Sequence, residues 1–341
     1  MTIFSNWLKI IGLFTSLLYL SPVFAERDIA DHIELPQAQL QQLELNNFKV
    51  LGLVQLKQNA GSDFPLMEFS ALAWDNDEQQ LILLSDRGFI VHSKPEFEKD
   101  RFIDLDFIAY HHLKDSKGKK LRHKSADSEG LALMNANNGI QGDTELIVSF
   151  ERKPRIVQFS NSGQFIAKHS LNNSLSDIDN YAGANKALEA ITLHNTFNII
   201  TGPERPLNAS NNNQLSLHTL NNESWQFAAD NEAYGSLVGL TTLPDNRLVA
   251  LERIFSSIFA GVSNAIHLIT LDQDSIKTEK IAALDPSASY FNDNFEGITW
   301  HKDERFFMIS DDNDSLLQRS LLVYFEIPTL KNTNQNTNKN D

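Results

Sequence analysis

The sequence contains no cysteine at all. That excludes disulfide scaffolds, cysteine-ligated zinc or iron–sulfur centres, and thiol nucleophiles, including those of cysteine phosphatases. Positive charge is also scarce: 29 Lys and Arg stand against 44 Asp and Glu, for a net charge of −15. A nucleic-acid binder led by phosphate attraction is excluded on that balance. Any anionic ligand must therefore meet local basic clusters or a bound cation. Several catalytic signatures are missing too: there is no P-loop, no G-x-G-x-x-G, no H-E-x-x-H and no G-x-S-x-G elbow. Apolar runs long enough to span a bilayer are absent as well.

The ends of the chain read as accessory segments. Lys9, the apolar stretch Ile10 to Leu20 and the closing Val23-Phe24-Ala25 have the form of a secretory signal over residues 1–25. A periplasmic or secreted protein is expected, with no membrane span left after cleavage. Residues 26–47 form a lead-in whose helical candidate is Gln37 to Leu45. The Asn-rich residues 331–341 lack apolar side chains and are expected to be a disordered tail.

Between these ends, over residues 48–330, one pattern recurs five times. A polar or acidic residue and a small residue open a short apolar strand; a turn follows, then a second hydrophobic strand ending in charge. The copies start at Ser70, Glu129, Glu189, Val238 and Glu296, with spacings of 59, 60, 49 and 58 residues. Repeats of short strands at about this period are the mark of β-propeller blades. The expectation is an all-β propeller, favoured as six-bladed with one degenerate copy hidden after Arg87 or Arg253. Five blades are the alternative, and a large β-sandwich is the competing architecture. Phe48 to Val54 and Leu321 to Ile327 both read as strands, and pairing them would close the ring and remove a free sheet edge.

Equivalent positions of a ring face one axis, so the charged ends of the repeats are the candidate site. Arg87, Arg152, Arg205 and Arg253 follow the acids that end the second strand, and Lys186 precedes the third copy. These cations are expected to bind an anionic substrate group by charge-assisted hydrogen bonds. Glu129, Glu189, Glu296 and Asp311 supply an oxygen-only set suited to a hard divalent cation, with Ca²⁺ favoured and no organic cofactor. Glu296 and Asp311 double as catalytic carboxylates in this expectation. Trp74 and Trp300, at matching places in two copies, are expected in the core.

The strings EGLAL with LIVSFERKPRI (129–156), NKALEAI with PERP (185–206), LTTLPDNRLVALER (240–253) and DNFEGITW with MISDDN (293–313) together resemble the phytase-like domain family, "esterase-like activity of phytase". The resemblance covers roughly residues 50–327. It implies a bacterial exported β-propeller that hydrolyses esters, phosphate esters among them. The R-H-G-x-R-x-P motif of histidine-type phytases is absent, as is the Asp-rich signature of calcium-dependent propeller phytases. The functional expectation is thus a metal-assisted hydrolase of phosphate or other esters, acting as a monomer on a small anionic or ester substrate. A non-catalytic ligand- or protein-binding propeller and a metal-dependent lactonase are the alternatives.

Overall fold

The computed structural model describes residues 29–58, 66–208, 214–230, 235–257, 261–284, 293–315 and 318–330. The expected signal and Asn-rich tail lie outside these residues. Strand β1 (Ala30–His32), helix α1 (Gln37–Leu45) and strand β2 (Lys49–Leu56) come first. Four antiparallel meanders follow. Blade one holds β3 (Phe69–Asp75), β4 (Gln80–Ser85), β5 (Phe89–Glu98) and β6 (Arg101–His112). Blade two holds β7 (Ser128–Met134), β8 (Glu145–Phe150), β9 (Arg155–Ser160) and β10 (Phe165–His169). Blade three consists of β11 (Leu188–His194), β12 (Asn198–Pro203), β13 (Gln214–Thr219) and β14 (Ser224–Ala228). Blade four consists of β15 (Gly235–Thr242), β16 (Leu248–Ser257), β17 (Gly261–Leu271) and β18 (Ile276–Leu284).

The last blade is composite. Strands β19 (Asn294–Lys302), β20 (Arg305–Asp311) and β21 (Leu321–Glu326) are completed by β2 and then β1. Val50 pairs with Phe325 and Val54 with Leu322, so the two ends of the repeated region share one sheet, as the two strand-like segments predict. The ring has five blades, not the six favoured from sequence. The surplus length after Arg87 goes into the ten-residue β5, the twelve-residue β6 and the connection to β7. After Arg253 it goes into the eleven-residue β17 and the nine-residue β18.

Strands β3, β7, β11, β15 and β19 neighbour one another in turn and return to β3, forming the inner wall. Five apolar clusters lie between successive blades. Between blades one and two, Ile82 and Leu84 meet Leu146, Val148 and Phe159; between two and three, Ile147 and Ile156 meet Leu188 and Ile191. Alternate side chains of β8 therefore enter two different cores, which explains why the second strand of each copy is apolar throughout. Hydroxyl groups tie neighbouring inner strands. Thr299 Oγ1 accepts from the Trp74 amide at 3.2 Å, Thr241 Oγ1 accepts from the Trp300 amide at 3.0 Å, and Ser70 Oγ donates to the Ser128 carbonyl at 2.6 Å.

Trp74 and Trp300 are half-buried rather than core residues. They line a cavity of about 510 Å³ at the end of the channel where the inner strands finish.

Close approach around the axis restricts side-chain size. A Cβ at Gly130 would stand 2.6 Å from the Glu189 carbonyl oxygen of the next blade. Gly130→Ala is expected to lower stability by about 1–3 kcal/mol, the range for overpacking a tight contact. Urea unfolding measures it, and an unchanged midpoint would refute the tight inter-blade contact.

Candidate active site at the acidic channel mouth

Every inner strand starts with the same irregularity. The pairing register slips by one residue between Phe69 and Ala71, Ser128 and Gly130, Leu188 and Ala190, Leu237 and Gly239, and Phe295 and Gly297. The extra residues are Ser70, Glu129, Glu189, Val238 and Glu296, the opening positions of the five sequence copies. A bulge re-aims the side chain it carries, and here it delivers three glutamates to one end of the channel.

A second tier comes from the end of the second strand. Asp86, Glu151, Glu204 and Asp311 hold equivalent places beside the bulges. In blade four, Leu237 pairs with Glu252, so the equivalent place falls on Arg253. The sequence pattern aligns Glu252-Arg253 with Glu151-Arg152, but strand register shifts that pair by one residue. Glu252 consequently leaves the channel: it is fully buried, meets His267 Nε2 at 2.7 Å and accepts from the Asp230 amide at 2.8 Å.

Both tiers line a single cavity of about 500 Å³, whose walls carry eight carboxylates against four cations. Glu129, Glu189, Glu296, Asp311, Arg152, Lys186, Arg205 and Arg253 all reach it; of the residues singled out from sequence, only Arg87 does not. Arg87 lies outside, held by Glu68 and by Asp314 at 3.0 Å. Asp127, which the sequence offers as an oxygen donor beside Glu129, lines the cavity too, and Asp86, Glu151 and Glu204 are further acids that the sequence did not single out as ligands. Their tier was legible only as the acidic half of each Glu-Arg pair.

The cations are unevenly committed. Arg253 bonds Glu296 and the Asn294 side chain at 2.7 Å, and lies 3.2 Å from Glu204 Oε1. Lys186 Nζ meets Glu204 Oε2 at 2.7 Å, and Arg152 Nε meets Asp127 Oδ2 at 2.6 Å. Burial alone would raise Glu204, but Arg253 and Lys186 outweigh it and hold its carboxyl below the usual range. Among the described residues, Asp86, Glu129, Glu151, Glu189 and Asp311 have no ion-pair partner. Burial, then Asp127 and Glu204, pushes Glu151 up to about 8. Burial and Glu296 push Asp311 up to about 8, and burial with Asp127 pushes Asp86 up to about 7. Glu129 and Glu189 lie well above the ordinary range for the same reasons, burial first and neighbouring carboxylates second.

Two carboxylate triads have oxygens within 4.8 Å of one another: Asp127, Glu129 and Glu151, and Glu151, Glu189 and Glu204. Glu151 belongs to both. Glu189 is only 6% exposed, and its Oε2 has no hydrogen-bond partner among the described residues. Glu129 and Glu189 thus fall into carboxylate triads, whereas Glu296 is drawn to Arg253 and Asp311 stands outside both. The four do not form one ligand shell.

A five-bladed propeller with carboxylates massed at one channel mouth is the class of protein that fold and site define. The chain belongs to the phytase-like family described as "esterase-like activity of phytase", whose profile matches residues 39–314. No curated protein matches it. Two solved structures align with it. One is the beta-propeller domain of Myceliophteria thermophila Cps50 (Swd1), with 10% identity over 82% of this chain and 91% of that one, at a TM-score of 0.37. The other is U3-55K, with 10% identity over 81% of this chain and 84% of that one, at a TM-score of 0.38. Among the described residues, no helix is long and apolar enough to cross a membrane.

Two outcomes are expected from this electrostatic arrangement. Removing one partner of a buried charge network costs about 3–5 kcal/mol, so Arg253→Met should destabilise the protein by that order in urea unfolding near neutral pH; a change under about 1 kcal/mol would contradict the network. The second outcome concerns pH. The unfolded chain releases its carboxyl protons near pH 4–4.5, whereas folded Glu151, Asp311 and Asp86 keep theirs to about 7–8. Seven histidines act in the opposite direction, His92 and His218 pushed down to about 4 by burial, His301 to about 3, and His111, His112, His169 and His194 also lowered by burial, but their effect fades by about pH 7.5, one unit above the unfolded pKa. From about pH 7.5 to about 8.5 the carboxylates dominate, and Tm in chelator should fall as pH rises. A flat or rising Tm over that window would show that these groups are not shifted upward.

Proposed function

We propose that the protein is an exported ester hydrolase, acting on phosphate or other esters with a divalent cation at the acidic channel mouth. The observation that carries this reading is the buried Glu189 Oε2, unpartnered among the described residues, beside Glu151, the carboxylate shared by both triads. A group so placed costs several kcal/mol unless it is protonated or meets a cation. The all-oxygen donor set favours a hard ion such as Ca²⁺.

When bound, such an ion polarises an ester oxygen and lowers the pKa of a water. Glu129, Glu151 and Glu189, with Asp127 and Glu204, are the residues that would hold it. Arg253 offsets the charge of Glu296 and part of that of Glu204, which supports a positioning role for Glu296 rather than that of the catalytic carboxylate expected from sequence. Asp311 is the carboxylate suited to proton transfer. Its proton affinity lies close to neutrality, and it takes the proton of the attacking water and returns one to the leaving oxygen. Arg205 has no ion-pair partner among the described residues and lines the same wall, where it faces an anionic ester group; Lys186 stands beside it, shared with Glu204.

Ca²⁺ should raise Tm at about pH 8, by the order of 2.7 kcal/mol of stability at one hundred times its Kd. Glu189→Gln should weaken that effect about tenfold or more. Turnover of a panel of phosphate monoesters, carboxyl esters and a lactone should require the ion and be lost in EDTA. Metal-independent turnover, or full activity in Glu151→Gln, would overturn the reading.

A further inference from the structure

At the end of the channel away from the carboxylates, the cavity of about 510 Å³ differs in kind from the mouth. The chain is 21% charged, yet no residue lining this cavity carries a charge. All five inner strands reach it. Trp74 on β3 and Trp300 on the adjacent β19 give it two half-buried indoles. The third described tryptophan, Trp225, is buried in the core between blades three and four. Both cavity indoles are held in place. The Trp74 ring lies 4.3 Å from that of His301, and Trp300 Nε1 donates to the Asp303 carbonyl at 2.8 Å.

Asparagine amides form much of the rim, and the loop after β7 that carries most of them is fixed by blade one. Asp77 accepts from the Asn138 amide at 2.8 Å and from the Gly139 amide at 3.0 Å, and Asn76 Nδ2 donates to Asn137 Oδ1 at 2.9 Å. A wall tied down in this way spares a ligand the cost of ordering it. Its hydrogen-bonding capacity is not used up. Asn137 Nδ2, Asn135 Oδ1 and the whole Asn195 side chain have no partner among the described residues. Open donors and acceptors thus stand beside two aromatic side chains.

This cavity and the acidic one share no lining residue. Leu72, Leu131, Leu240 and Ile298, all buried, lie on the inner strands between the opening residues and this end. A ligand held here touches neither the carboxylates of the mouth nor their cations.

We propose that this uncharged cavity is a second ligand site, which takes a neutral saccharide by stacking a sugar ring on the tryptophans and bonding its hydroxyls to the asparagine amides. The proposal does not rest on the reading of the mouth as a hydrolytic centre. A charged ligand would find no counter-charge in the lining, and leaving water would then cost it dearly. A sugar ring suits both parts of the wall: its C–H face meets an indole, and its hydroxyls meet amides that donate and accept. A quaternary ammonium group would use the indoles but leave the amides unpaired. The volume lies within the range of small-ligand pockets.

Tryptophan emission of the full chain, titrated with cellobiose, maltose and N,N′-diacetylchitobiose, tests the site directly. A saturable change is expected with at least one of these disaccharides, equal in Ca²⁺ and in EDTA and insensitive to salt. Measured by calorimetry, Trp300→Ala should weaken that binding about tenfold or more. Asn195→Ala, which shortens an exposed side chain far from any core, should weaken it about threefold or more. No saturable binding of any of the three sugars would overturn the proposal, as would an affinity unchanged in Asn195→Ala. Binding lost in EDTA would place the sugar at the mouth and overturn it too. Choline or glucose 6-phosphate binding as tightly as the disaccharides would refute the selection for a neutral ligand. Failure of the hydrolase reading shows separately, as absent ester turnover with the sugar titration intact.

Discussion

Like charges gathered in a partly dry cavity repel one another, and only a frame that cannot relax holds them together. Here the frame is the closed ring. Five apolar layers, one between each pair of neighbouring blades, fix the inner strands at a separation so close that Gly130 has no room for a methyl group beside Glu189. The repeated bulge turns the glutamates of three blades into the channel, while in the other two Val238 packs into an apolar cluster and Ser70 bonds the Ser128 carbonyl. Glu129, Glu189 and Glu296 meet around one axis because the bulge recurs, and they stay there because the blades cannot spread. Such strain, held by surrounding packing, is a common mark of functional sites.

The distribution of cations decides what the cavity can do. Arg253 lies among Glu204, Glu296 and Asn294 and removes the repulsion on one side of the ring. Blades two and three receive no such help beyond Lys186 and the Arg152–Asp127 pair. The unneutralised acids therefore concentrate around Glu151, and the channel mouth is electrostatically lopsided even though its backbone is a near-repeat. That asymmetry comes from the arginine at the second-tier place of blade four together with the uncharged Ser70 and Val238 at two of the opening positions.

Much of this was legible in the sequence. Five copies with an acid or its counterpart ahead of a small residue announced the blades, and the strand-like segments at Phe48 and Leu321 announced the closure. Blade number was not legible, because long outer strands such as β6 and β17 occupy chain length in the same way as a hidden blade. Nor was the place of Arg253. In the string it follows Glu252 just as Arg152 follows Glu151, and only the pairing of Leu237 with Glu252 reveals the offset of one residue. A slip of that size exchanges the faces of a strand, so Glu252 went to a buried histidine and the arginine went to the channel. The acids Glu151 and Glu204 stand in the sequence only as the residues ahead of Arg152 and Arg205, and nothing in the string marks them as ligands.

The composite blade bears on how the protein reaches this state. Strands β2 and β21 lie at opposite ends of the polypeptide, and their union is the longest loop closure in the molecule. Contacts of such sequence separation form slowly. The Arg253–Glu296 pair joins blades that are neighbours in sequence, whereas Glu296 on β19 comes beside blade one only when β19 meets β3 and the ring shuts. Seating the first strand against the last is thus the step that completes the electrostatic circuit, so the mouth matures when the ring shuts rather than when its individual sheets fold.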